Sequence, residues 1–212
     1  TFTYGNITVT SNEYGCECIG LVDATISTPT LDLTNLTYNN YQLTIYTIKD
    51  RAFVNNDSII TVILPDSVAS IGNWAFVDCS SLTSINIPNS VTSIGQEAFR
   101  LCSSLTSINI PNSVTYMGVA AFSNCTGLTS VDIPDNITII NQSIFVDCTG
   151  LTSVDIPDSV TSIGSSTFRG CTGLTSIDIP DSVIFIGSST FHGCSSLTSI
   201  DIPDSVTTIG NY

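Results

Sequence analysis

Basic residues are almost missing from this chain. Four Lys plus Arg stand against 18 Asp plus Glu, with a single His, for a net charge of −14. Nucleic-acid binding depends on neutralising phosphates with basic side chains, so nucleic acid is not an expected partner. Anionic membrane surfaces are disfavoured for the same reason. No run approaches the roughly 20 consecutive apolar residues that cross a bilayer as a helix, so no membrane insertion is expected. Charged residues make up only 10 % of the chain and hydrophobic ones 42 %. Its surface is therefore largely Ser, Thr and Asn. The sequence opens at Thr1 without a charged-then-apolar leader; either a leader has been removed or this is an excised piece.

What the chain does have is a period. Pro65 returns at 88, 111, 134, 157, 180 and 203, always 23 residues on, and its surroundings return with it. A fixed period of this length stacks one small unit on the next into a linear solenoid, each unit depending on its neighbours. In one copy the recurring apolar positions are Leu82, Ile85, Ile87, Val91, Ile94, Ala98, Phe99 and Cys102. Ile85 and Ile87 alternate with Ser84 and Asn86, the pattern of a half-buried strand. Pro88 ends that strand, because it cannot donate to a ladder. Ala98, Phe99 and Cys102 are spaced for a short turn or single helical coil. Glycine recurs from Gly72 to Gly210, with Asn141 as its one replacement. That exchange suggests a left-handed backbone there, although close packing between coils would also favour a small residue.

The pattern reaches upstream to Ile45, Ile48, Ala52 and Phe53. Residues 42–212 are thus expected to form the solenoid. Residues 1–41 lack the period and read as an N-terminal capping segment, with strand-like pieces at Ile7–Val9 and Leu31–Leu33 and a turn signal at Tyr14-Gly15. At the other end the sequence stops at Tyr212, before the Ala-Phe and Cys positions of that coil. The expectation is that the native chain continues, or that this open end pairs with something, as in an oligomer.

The unit Leu-x-x-Ile-x-Ile-Pro-x-Ser-Val-Thr-x-Ile-Gly-x-x-Ala-Phe-x-x-Cys resembles the 23-residue BspA-like class of leucine-rich repeats over about residues 42–212. The resemblance implies a β-rich, curved leucine-rich repeat solenoid. Its parallel sheet would lie on the concave face, with short turns or helical coils on the outer arc. It also implies a secreted or cell-surface protein used for adhesion and partner binding. Ligands vary across such proteins, so no binding residue carries over. Thr167, Thr190 and Ile144 depart from the usual Ala before Phe, which puts local packing in question.

Stacking turns each repeat position into a column at about 4.8 Å spacing. Between the two strand aliphatics the column reads Asn86, Asn109, Asp132, Asp155, Asp178 and Asp201. The position after proline supplies Asp135, Asp158, Asp181 and Asp204 in the later coils. Neighbouring carboxylates at that spacing repel by about 0.9 kcal/mol in bulk water. These ten residues form the candidate partner-binding strip for a protein or glycan, a basic one matching its charge. The competing reading is a solvated, solubilising face. Two Asp columns fall short of the six to eight oxygens calcium takes, and neither metal nor cofactor is assigned.

Other columns read more plainly. Ser84 and Thr83 and their equivalents are hydroxyl ladders expected to bond along the stack. The six repeat cysteines from Cys79 to Cys194 read as buried free thiols, whose parallel Cβ vectors suit bridging poorly. Cys16 and Cys18 lie in the capping segment without further metal ligands nearby. His192 reads as an isolated solvated side chain. Asn-x-Ser/Thr matches occur at Asn6, Asn35, Asn56, Asn124, Asn136 and Asn141, and matter only in a glycosylating host. No nucleophile, base and oxyanion donors converge, so the chain reads as a recognition module and not an enzyme. The rival reading is a structural spacer presenting a domain outside this chain.

Overall fold

A computed structural model describes residues 2–4, 7–12, 15–21, 30–38 and 40–211. They form a parallel β-solenoid of about seven turns. The coils build two ladders. The first is built from the strand between Leu and Pro: Thr30–Asp32, Thr61–Ile63 and Ser84–Asn86 pair in one parallel sheet, and Ser130–Asp132 with Ser153–Asp155 in another. In the coil between the two pieces, Ser107 makes a single bridge to Ser130. The second ladder is made of the two residues ahead of the glycine column. It runs from Ile45–Ile48 through Ser70–Ile71 and Ser93–Ile94 to Tyr116–Met117, then restarts at Ile139–Ile140 and continues to Thr208–Ile209. The sequence announces the first ladder through its alternation. It does not announce the second, where two-residue strands leave no alternation to read.

Two features at the N-terminal side were also not predicted. Thr30–Asp32 pairs with Thr61–Ile63 in register, Leu31 opposite Val62, so the first ladder begins inside 1–41. The offset of 31 residues, instead of 23, is filled partly by a hairpin of Thr37–Tyr38 and Tyr41–Gln42. Ahead of it, Phe2–Tyr4, Ile7–Asn12 and Gly15–Leu21 form an antiparallel meander whose last strand pairs in parallel with Ile45–Ile48. The Tyr14-Gly15 turn, Asn6 and the side chains of Cys16 and Cys18 lie outside what is described.

The core is one continuous set of columns. Phe53, Phe76, Phe99, Phe122, Phe145 and Phe168 are fully buried, and with Phe191 their rings stack at 5.1–5.8 Å between centroids. The third side of each coil, expected as a turn or helical coil, is a turn; no helix occurs among the described residues. It carries two left-handed residues per coil. One column includes Arg51, Trp74, Glu97, Ala120 and Ser143, and the other Asn55, Asp78, Asn124, Asp147 and Gly170.

The glycine column is not one of them. Gly95 has no positive φ; a Cβ there would lie 2.6 Å from Asn73 N and Gly72 C, backbone of the preceding coil. Close approach, and not a left-handed backbone, is therefore why the position is small. Where Asn141 stands instead, its side-chain amide donates to Met117 O at 2.7 Å, and the second ladder is interrupted at that coil.

Side chains also tie coil to coil. Ser90 donates to Val68 O at 2.6 Å, and its equivalents repeat the bond. Thr83 donates to Ile60 O, and Ser84 to the Thr61 hydroxyl, as the hydroxyl-ladder reading expects. Buried Thr167 and Thr190 satisfy their hydroxyls on Gly164 O and Gly187 O, both at 2.7 Å, and Ile144 is fully buried. The three departures from Ala are thus accommodated.

Candidate functional site

Outward residues of the first ladder and the proline turn make up the candidate face. Alternation forces this. Ile85 and Ile87 are buried, so Ser84 and Asn86 point out. Asp132 and Asp155 face each other directly across the parallel pair, as do Val131 and Val154 beneath them. All ten candidate residues are exposed.

The structure gathers some of them more tightly than others. Asp135, Asp155, Asp158 and Asp178 line one open depression of about 610 Å³ together with Ser159 and Pro157. Asn86 and Asn109 line a second, uncharged depression of about 560 Å³ with Thr61 and Ser84. Asp132, Asp181, Asp201 and Asp204 stand along the same columns. Among the described residues no basic side chain pairs with any of these eight aspartates; Arg100 pairs with Glu97 at 3.4 Å, and Arg51 lies 4.9 Å over the Trp74 ring. No group of three or more His, Cys, Asp or Glu among the described residues could hold a metal ion.

Asn and Asp are not equivalent in this column. Asn86 accepts from Leu64 N at 2.7 Å and donates to Leu64 O at 3.2 Å, which ties it to the preceding coil. A carboxylate has no donor for that second bond. Similarly Asn112 donates to Asp135 Oδ2 at 3.0 Å and accepts from Asp135 N at 3.2 Å. Asn86 and Asn112 thus spend their amides internally, and the later coils present carboxylates to solvent. Sequence reasoning found the columns but missed these internal bonds; the 22–23-residue spacing of the partners was the available signal.

The other singled-out groups are structural. All six repeat cysteines are free and buried. Each thiol donates to a phenylalanine carbonyl 26 residues earlier, as Cys79 does to Phe53 O at 3.0 Å. Burial pushes the Cys79 and Cys148 thiols up to about 12, which leaves them protonated and unreactive near neutrality. His192 is exposed beside Phe191. Of the glycosylation matches, Asn56 is buried, accepting from Ser58 N and Ile59 N. Asn136 and Asn141 have their amides bonded to the backbone, while Asn35 is exposed on a turn.

Comparison with known proteins places this architecture. A leucine-rich repeat protein of T. pallidum is 27 % identical with a TM-score of 0.83, over 93 % of this chain and 91 % of its own. A leucine rich cell surface protein of Faecalibacterium prausnitzii is 33 % identical with a TM-score of 0.83; the match covers 94 % of this chain and 53 % of that one. This chain therefore spans about half the length of the second relative. A leucine-rich repeat protein of Bacteroides capillosus is 29 % identical over 55 % of this chain and 86 % of its own, with a TM-score of 0.50. No curated protein matches. The BspA type leucine rich repeat region matches in six copies, over residues 24–152 and 138–212. With the same unit stacked in both ladders, the chain belongs to the BspA-type leucine-rich repeat family.

Proposed function

We propose that this chain is a non-enzymatic recognition module, displayed outside the cell, that binds a protein or glycan through the first ladder. In this reading the solenoid curves so that the first ladder is its concave face, and the strands ahead of residue 42 cap its first coil. One observation carries it. Asp135, Asp155, Asp158 and Asp178, from neighbouring coils, share one open depression without a basic partner among the described residues. A partner presenting positive charge relieves their mutual repulsion as it docks. The uncharged depression at Asn86 and Asn109 on the same ladder offers amides and hydroxyls alongside. The extracellular setting is supported by the F. prausnitzii relative, described as a cell surface protein.

The test is a screen of the chain against a glycan array and an array of Lys- and Arg-rich peptides at low and high salt. Hits on the strip weaken with salt and fall further in the triple variant Asp155→Asn, Asp178→Asn, Asp201→Asn. Hits that bind the triple variant unchanged remove the strip from the site. An empty screen favours the spacer reading.

A further inference from the structure

The second ladder carries a feature that the strip does not need. Its outward position, just ahead of the buried aliphatic, is Ser or Thr in five of eight coils and Tyr116, Ile139 and Phe185 in the other three. These three are 52 %, 52 % and 40 % exposed, and Ile184 beside Phe185 is 50 % exposed. Large apolar side chains in water, where neighbouring coils use serine, mark a surface that is covered. Tyr116 and Ile139 belong to adjacent coils, where the ladder is interrupted, and Val119 adds to the same cluster at 38 % exposure.

Charge selects the occupant. From Ala69 to Asn211 the outward positions of this ladder and the residue after the glycine column contain no Asp, Glu, Lys or Arg. On a chain of net charge −14, it is a face over which a second copy can approach. Residues 132–212 hold nine acids and one base, whereas residues 42–131 hold five acids and three bases. We propose that two copies pack second ladder to second ladder, antiparallel, about a two-fold axis between the Tyr116 and Ile139 coils. Tyr116 then meets the partner copy's Ile139 coil, as an isologous interface requires. The same axis sets the bulky Ile184-Phe185 pair over the coil of Ala69 and Ser70, which is small there. It also sends the two acidic halves to opposite ends of the dimer.

At about 4.8 Å per coil and 3.3 Å per residue, the face measures about 34 by 13 Å. That is smaller than the standard footprint of about 800 Å² per partner, so the dimer is weak and reversible. Like-charged copies also repel, so salt tightens the association.

Sedimentation velocity over a concentration series tests this. The wild-type chain is expected to pass from monomer to dimer, with a lower Kd in added NaCl. The double variant Tyr116→Ser, Ile139→Ser restores the serine used in other coils. It should weaken association about tenfold or more without lowering the melting temperature. If that variant folds poorly, Ile184→Thr with Phe185→Ser serves instead. A short thiol cross-linker should join Ser93→Cys chains to Ser162→Cys chains and leave Ser93→Cys chains alone unlinked. Three results overturn the proposal: a wild-type chain monomeric at about 1 mM, a dimer indifferent to both double variants, or cross-linking of Ser93→Cys to itself.

Discussion

Replacing Phe99 by alanine tests the stacked core most directly. Phe99 is fully buried between Phe76, with centroids 5.3 Å apart, and Phe122, at 5.4 Å, the planes within 2°. Truncating a buried Phe to Ala costs about 3–5 kcal/mol. Each ring pair adds about 0.5–1.5 kcal/mol beyond area burial, and Phe99 loses two. The expected cost is therefore at the top of the range, about 4–5 kcal/mol. Phe191 is the built-in control. It is half-buried at the end of the ring stack, against Phe168 at 5.8 Å, so Phe191→Ala should cost about 2 kcal/mol. Urea unfolding followed by circular dichroism reads the whole stack, and Trp74 fluorescence reads the early coils. Because coils are stabilised by their neighbours, Phe99→Ala should also separate the two transitions, while Phe191→Ala leaves the Trp74 signal in place. Equal costs for the two variants, or a Phe99→Ala cost below about 2 kcal/mol, would refute the idea that each ring is held from both sides.

Two further predictions concern the backbone and the thiols. Gly95→Ala should cost about 2–3 kcal/mol in thermal melts, since the new Cβ meets backbone of the preceding coil at 2.6 Å. Gly193→Ala, whose Cβ meets nothing nearer than 3.6 Å but sits at φ +80°, should cost about 1 kcal/mol; reversed costs would contradict the close-approach account. Burial raises the Cys79 and Cys148 thiols from 9.0 to about 12. Their stabilising effect is thus complete below pH 9 and is lost as pH rises from 9 through 12, at up to about 1.4 kcal/mol per pH unit for each thiol. Stability curves from pH 8 to 11 should show this fall, and Cys79→Ala with Cys148→Ala should make it shallower.

The parts of the fold that were legible in the sequence are those in which side chains report backbone directly. Alternation at Ser84–Ile87 gives the first ladder, and the recurring Phe and Cys give the buried columns. Of the two left-handed columns, Arg51, Trp74, Glu97 and Ala120 carry no signal for positive φ, whereas Asn55, Asp78, Asn124, Asp147 and Gly170 are residue types that favour it and were overlooked. Glycine drew that inference instead, although Gly95 is small for a steric reason. The strand at Thr30–Asp32 was legible in the Leu31-Asp-Leu33 alternation, but its place in the first ladder was not, because its partner lies 31 residues on, outside the period. At the candidate site the Asp columns were plain from spacing. Their meeting was not: Asp135, Asp155, Asp158 and Asp178 converge diagonally between the strand and the proline turn, which depends on how the turn folds back.

Repetition also indicates where to look for function. Inside the stack, a change must satisfy both neighbouring coils, and Thr167 is admitted because its hydroxyl reaches Gly164 O. Outside it, a change meets water and is cheap, so departures there are free to follow a partner. An Asn-to-Asp change on the first ladder carries a cost where the amide is bonded, as at Asn86. Asn86 makes two bonds to Leu64. An aspartate forgoes the donated one, worth about 0.5–1.5 kcal/mol, and adds about 0.9 kcal/mol of repulsion from each neighbouring carboxylate in bulk water. Four successive coils, from Asp132 to Asp201, carry the carboxylate and accept that repulsion. Solubility alone would be served by carboxylates placed anywhere on the surface, without that repulsion. Carboxylates kept together in one column despite their mutual repulsion fit the recognition face proposed above.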